Sequence, residues 1–403
     1  MIDLVLVALP NPVLSNPKMY FPLGILYLAA VAKKEGYSVE IADMRDGEKV
    51  MPEAAFYGFS CTTPEINKAK ELAKKVKGTT IVGGPHPTLM PQDCMLDFDY
   101  VVQGEGEYIL LDILRKKPMM KLNRANRIID LDKIPYPAWD MVEEPFSLEL
   151  FPGERYGKGQ LATTITASRG CPFKCSFCGN MLSTPVRYRS ARNILGELEE
   201  LKKRGVRHFR FEDDNFTLHP NFKNLCLGLK DIGIRWKCHT RSQIVRLDEM
   251  EQMKWAGCEE VGLGVESADD NVLKINNKKE TCKDHVRAVE IIHRAGLRAK
   301  TYFIAGLPGE TDSTLKINKS FFGAVKPDKW TLSTFTPYPG CAIYNDPEKF
   351  GVKILDWDFN KWWNFVDRGF VYELDTEPRE VTWQRYKKFY TWLVNGKWKA
   401  STE

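Results

Sequence analysis

No stretch of the 403 residues reaches about 18 consecutive apolar positions, the length a membrane-spanning helix requires, so no membrane span is expected. The start, Met1-Ile-Asp-Leu-Val-Leu-Val-Ala-Leu-Pro10, lacks the basic opening and small-residue cleavage site of a secretory signal and reads as a strand. Dense Lys/Arg runs interleaved with aromatics are missing too, and a net charge of +5 is too mild to indicate nucleic acid. The ten cysteines form no even, dense framework of the kind that staples small secreted domains, which favours a reducing compartment, by default the cytoplasm. What remains is the 43% hydrophobic, 28% charged composition of an ordinary globular protein, with length for two or three domains.

Against this background one stretch stands out: Cys171-Pro-Phe-Lys-Cys175-Ser-Phe-Cys178. Three thiols at spacings of four and then three residues can converge on one face of a short loop, which suits a soft iron–sulfur cluster. Three ligands are one short of the usual four and leave one iron open to a small molecule, as a catalytic metal keeps an open position. A zinc knuckle or three unrelated buried cysteines are the competing readings, although no second Cys or His pair of zinc spacing follows.

The order of elements frames this loop. Residues 3 to 9, 38 to 42, 54 to 60, 79 to 82 and 100 to 102 read as strands separated by helical or loop stretches, among them Pro22 to Gly36 and Pro64 to Lys77. Such alternation predicts a doubly wound parallel sheet with ligands at the carboxyl ends of its strands. Ser60-Cys-Thr62, Gly83-Gly84-Pro-His86 and Gly104-Glu-Gly-Glu107 close three of these strands. Glycines there either let a ligand approach the backbone or simply make tight turns. From residue 116 to 158 closely spaced prolines break the pattern and suggest a linker.

A second cadence begins at residue 162, with strands expected over 162–167, 208–214, 236–240, 260–266, 300–306 and 329–336, and helix-patterned intervals such as Ala191 to Arg204. Six βα repeats suggest an incomplete barrel with its chemistry at the carboxyl ends of the strands. Polar residues fall there: Phe211-Glu-Asp-Asp214, His239-Thr-Arg241, and Gly264-Val-Glu266-Ser267. The carboxylates suit a cation or ammonium group, or a loop-start Asx turn, and Arg241 suits a carboxylate or a plain salt bridge. The aromatic-rich tail, 343–403, reads as helix packing over the barrel or as a lid.

Ser168-Arg169-Gly170 followed by the Cys triplet, with Phe177 before its last member, resembles the signature of the radical S-adenosylmethionine (SAM) enzymes. The preceding order, a proline-led helix, Ser-x-Thr, Gly-Gly-Pro-His and Gly-Glu-Gly-Glu, resembles the cobalamin-binding domain found before many radical SAM cores. The resemblance implies a cobalamin-binding, flavodoxin-like domain over 1–115, a linker over 116–158, a partial six-stranded radical SAM barrel over 159–342 and a small α-rich segment over 343–403. It implies a [4Fe-4S] cluster on Cys171, Cys175 and Cys178, whose open iron chelates SAM. Phe177, Glu212, Asp213, Asp214, Arg241, Glu266, Ser267, Ile304 and Gly306 are then candidates for SAM, and Ser60, Thr62, Gly83, Gly84 and Gly104 for cobalamin.

Residues 11–23 contain no His, so no imidazole from that loop lies under the cobalt, and His86 is a poor substitute. Tyr302 stands where the adenine-binding stretch of the family has Gly, and Glu310 lies one place late. Cys341 is the cysteine outside the triplet worth testing, at a strand-end turn.

The implied activity is cleavage of SAM to a 5′-deoxyadenosyl radical followed by methylation of an unactivated carbon, with an electron donor such as a flavodoxin or ferredoxin and a small-molecule or peptide substrate. Ring formation, oxidation or epimerisation without methyl transfer is the alternative within the same family. A non-enzymatic iron–sulfur or zinc binding module is the alternative outside it.

Overall fold

The computed structural model describes residues 2–12, 22–47, 49–142, 161–179, 185–362 and 369–396. They divide into two units, the first spanning Met1–Ser147 with Asp358–Trp363, the second Leu148–Trp357 with Asn364–Glu403.

The first unit is organised by apolar strands too hydrophobic for any surface. β1 (Ile2–Ala8), β2 (Val39–Asp43), β3 (Ala54–Ser60), β4 (Thr79–Gly83), β5 (Tyr100–Gln103) and β6 (Leu122–Arg124) form one parallel sheet in the order β2-β1-β3-β4-β5-β6. Val5, Val7, Phe59 and Val82 pack with Ile66, Ala69 and Leu72 of one helix, and a separate cluster joins Tyr27, Val31 and Leu111 to Ile128, Leu131 and Ile134. Burial on both faces is what a parallel sheet of this kind requires. The order reverses between β1 and β3, where doubly wound folds open their ligand crevice.

Two features differ from the sequence-based expectation. The stretch expected as a linker contributes β6, which extends β5 through the pairs Val101↔Leu122, Val102↔Asn123 and Gln103↔Arg124. Three residues of mixed polarity carry no readable period, so only the waiting edge of β5 makes them a strand. Residues 143–158 of that stretch lie outside the described residues. His86, which a Pro-flanked turn would ordinarily leave solvated, is fully buried: Nδ1 lies 3.2 Å from Thr63 Oγ1, Nε2 lies 3.0 Å from Asp93 Oδ2, and its ring meets Phe359 edge-on at 5.2 Å. Lys70 also reaches Asp93, at 2.9 Å, so the site already has its cation.

In the second unit, β7 (Leu161–Ile165), β8 (Val206–Phe211), β9 (Arg235–Thr240), β10 (Cys258–Glu266), β11 (Arg298–Ala305) and β12 (Lys329–Thr334) pair in sequential order, all parallel, as a curled half-barrel. Alternation divides each strand. Val261, Leu263 and Val265 of β10 are fully buried toward the helices, while Glu260, Gly262, Gly264 and Glu266 take the opposite face. Near the amino-terminal ends, Glu260 lies 2.9 Å from Lys329, 3.7 Å from Lys237 and 3.8 Å from Arg298, an ion-paired floor.

Residues 369–396 of the tail pack against the barrel's strands and helices. Tyr372, on a short strand antiparallel to Val352–Ile354, donates its hydroxyl proton to the carbonyl of Gly306, and Phe389 and Trp392 of the helix Arg379–Asn395 stand 5.9 and 6.3 Å from Phe322. Trp363, Phe365 and Trp398 lie outside the described residues. Among the described residues no helix is long and apolar enough to cross a membrane.

Candidate active site

The Cys loop begins where β7 ends. A two-residue antiparallel ladder, Ser168–Arg169 against Arg187–Tyr188, turns the chain, and Gly170 at φ +102° makes a bend that a side chain would strain. Asp213 fixes this turn from below: its carboxylate accepts from the amide of Ala167 at 3.0 Å and from the Ser168 hydroxyl. Burial raises its pKa to about 6, and the bonds from Ser168 and Ala167 oppose the rise.

The loop is then tied along its length. Asn277 Nδ2 donates to the carbonyl of Lys174 at 2.6 Å, the Ser176 amide to Asn276 O at 2.9 Å, and the Ile343 amide to Ser176 O at 3.2 Å. Two side chains reach the sulfurs themselves. Asn215 Nδ2 lies 3.3 Å from Cys171 Sγ, and Arg241 Nη1 lies 3.2 Å from Cys175 Sγ.

Three further contacts hold Arg241, whose Nε is buried without a hydrogen-bond partner. Its guanidinium stacks 4.0 Å from the Phe173 ring centre, pairs with Glu280 at 3.2 Å and donates to the carbonyl of Lys278. Lys278 in turn pairs with Glu280 at 3.3 Å and Glu266 at 3.2 Å, completing a buried quartet of two cations and two anions. Glu266 sits at φ +64°, a left-handed conformation uncommon outside glycine, and burial raises its carboxyl despite Lys278 beside it.

The other candidates have definite places. Glu212 and Asp214 are exposed, and Glu212 pairs with Arg210 at 3.0 Å, so of the acidic trio Asp213 alone is inside. Ser267 accepts from the Asp269 amide at 3.1 Å. Ile304 is half-buried on the face that carries Tyr302, and Phe177 is half-buried within the Cys loop. Gly306 has both backbone groups engaged, its amide by Glu310 and its carbonyl by Tyr372. Cys341 is buried, and its sulfur accepts from the Tyr344 amide at 3.3 Å as a helix cap.

At the carboxyl ends of β3, β4 and β5 the expected loops are laced together. A Cβ on Gly84, which has φ +97°, would stand 2.9 Å from Cys61 N and 3.1 Å from Ser60 Oγ. Thr88 Oγ1 donates to Gly84 O at 2.7 Å and accepts from the Gly104 amide at 3.0 Å. Gly83 ends β4, and its carbonyl accepts from the Cys61 amide at 3.0 Å. Thr62 caps the following turn through a capping box with Glu65. Ser60, Gly83, Gly84 and Gly104 thus gather at one edge of the sheet, with Thr62 beside them as a cap.

The thiol spacing bears on the metal. Among the described residues the set of three potential ligand atoms lying within 4.8 Å of one another is His86, Asp93 and Cys94, not the three loop thiols. Three thiols within eight residues, with no second Cys or His pair of zinc spacing after them, suit a polynuclear cluster in which each sulfur binds its own iron.

Comparison with known proteins agrees. The family model described as the Radical SAM superfamily matches residues 165–319, and the B12 binding domain matches residues 14–114. An uncharacterized methyltransferase of Pyrococcus horikoshii is 30% identical over 365 residues, covering 80% of this chain and 77% of its own.

The chain belongs to the radical SAM superfamily. It is a radical SAM enzyme with a B12-binding domain ahead of its half-barrel. Another relative, the anaerobic magnesium-protoporphyrin IX monomethyl ester cyclase of Rubrivivax gelatinosus, is 28% identical, over 86% of this chain and 69% of its own. In fold, the radical SAM methyltransferase TsrM of Kitasatospora setae, solved with cobalamin and a [4Fe-4S] cluster, matches with a TM-score of 0.65 at 18% identity, over 85% of this chain and 74% of that one.

Sequence reasoning missed Asn215, Lys278 and Glu280. Asn215 directly follows the acidic run and was within reach. Lys278 and Glu280 come from a loop after β10 with no motif, and only the fold brings them under the Cys loop.

Proposed function

We propose that this radical SAM enzyme methylates an unactivated carbon of a small-molecule or peptide substrate. Its cofactors are a [4Fe-4S] cluster, S-adenosylmethionine and cobalamin. Cys171, Cys175 and Cys178 are the residues to hold the cluster; the loops at Ser60, Gly83, Gly84 and Gly104 are those to hold the corrinoid. When bound, the cluster and SAM supply a carbon-centred radical and the corrinoid supplies the methyl group.

The chain's own residues supply placement. Asp213, Asn277 and the Ser176 backbone hold the Cys loop rigid, which keeps its sulfurs in position without reorganisation. The Arg241–Glu280–Lys278–Glu266 quartet gives the strand ends a fixed, internally balanced set of charges in which polar groups of SAM find partners. On the same face Lys300 Nζ lies 4.5 Å above the Tyr302 ring and His239 stands 5.4 Å from it, a polar wall for a substrate.

The observation that carries this reading is a three-thiol loop pinned at the carboxyl ends of a half-barrel behind a B12-binding domain. A flavodoxin or ferredoxin in a reducing cytoplasm is the matching electron donor. Anaerobic turnover with methyl-labelled SAM and a metabolite extract tests the reading: label in a product carbon alongside released deoxyadenosine is expected. Deoxyadenosine without label in any product overturns methylation and leaves the cyclase-type chemistry of the Rubrivivax relative.

A further inference from the structure

We infer that Asn215 and Arg241 set the reduction potential of the cluster by donating hydrogen bonds to the sulfurs of Cys171 and Cys175. The inference rests on the cluster reading above and adds a task for two residues that motif reading gives to SAM or to nothing.

The contacts are specific. Asn215 follows the end of β8, is 7% exposed, and points Nδ2 at Cys171 Sγ from 3.3 Å. Its Oδ1 is buried with no hydrogen-bond partner. Leaving a buried amide oxygen unsatisfied is costly. A metal-bound thiolate has no proton to give, so only the NH2 end of an amide can face it. The orientation of Asn215 therefore follows from the sulfur. Its backbone is held in turn, since its carbonyl accepts from Leu218 N at 3.2 Å and the neighbouring Thr217 bonds Thr240 at 2.7 Å.

Arg241 adds charge to a donor of the same kind. Nη1 reaches Cys175 Sγ at 3.2 Å, while Phe173, Glu280 and the Lys278 carbonyl hold the guanidinium in that orientation. Hydrogen bonds to ligating sulfurs and nearby positive charge withdraw electron density and stabilise the reduced cluster, which raises its potential. The quartet around Arg241 is balanced, two against two, so exchanging the arginine for a neutral side chain leaves one net negative charge next to the sulfurs.

The test is a redox titration of the anaerobically reconstituted full-length enzyme, followed by the electron spin resonance of the reduced cluster and run without SAM. Iron and sulfide content of the wild type checks the cluster reading itself. Asn215→Leu, Asn215→Asp and Arg241→Met are each expected to move the midpoint to more negative values, Asn215→Asp further than Asn215→Leu because it also adds a charge. The double variant Asn215→Leu with Arg241→Met is expected to move it further than either alone. A wild-type midpoint in every variant that holds a full cluster overturns the inference. So does failure of all three single variants to load iron, since the donors would then hold the loop together without tuning it.

Discussion

The two six-stranded parallel sheets are built from the same βα unit and differ in one face. In the first, strands such as β1 are apolar on both sides and both sides are packed. In the second, one side of each strand is apolar against helices and the other carries Lys237, His239, Glu260, Lys300 and Lys329. An open sheet sandwiched between helix layers must place its chemistry on edge loops. A curled sheet encloses a face of its own and can line it with charge, provided each buried ion finds a partner.

Breaking the charged face at its most specific point gives the largest expected effect. Alanine at Cys171, Cys175 and Cys178 removes cluster absorbance and reduces SAM cleavage to background, while thermal unfolding of the first unit stays as in the wild type. Next comes Glu260→Leu, which leaves Lys237 and Lys329 buried without their carboxylate and costs about 3–5 kcal/mol, read as lost hydrogen-exchange protection in β10 and not in β1.

A pH effect should also separate the units. Burial raises Glu310 from its ordinary 4.5 to about 7, so the folded state holds a proton that the unfolded chain releases. Its contribution is full below pH 4.5 and lost as pH rises through about 7, a swing of about 3 kcal/mol. Glu310→Gln should flatten that part of the urea-denaturation profile of the second unit and leave the first unchanged. The smallest effect belongs to the first sheet. Gly84→Ala meets Cys61 and Ser60 at a positive φ and costs about 1–3 kcal/mol of strain, seen as reduced corrin absorbance at unchanged iron content.

The same contrast explains what the sequence made legible. Ten of the twelve main strands read within two residues at each end, because apolar runs in the first sheet and alternation in the second are both one-dimensional signals. Of the remaining two, β6 had too few residues to show a period, and β8 was expected to run three residues further, through the acidic cluster. The Cys loop was legible because its ligands are contiguous. Which way Asp213 points, and that Arg241 would be claimed by Glu280, Lys278 and Cys175, depended on loops far apart in the chain. Partners of that kind leave no spacing to read.

Residues 358–363 belong to the first unit although they are encoded after most of the second. Within that unit Trp362 is fully buried and Phe359 lies against His86. The polypeptide therefore crosses between the units three times, and no single genetic cut yields two intact halves. A fragment ending at Ser147 would be born with an empty seat in its hydrophobic interior, which binds the inheritance of the corrinoid module to that of the catalytic barrel behind it.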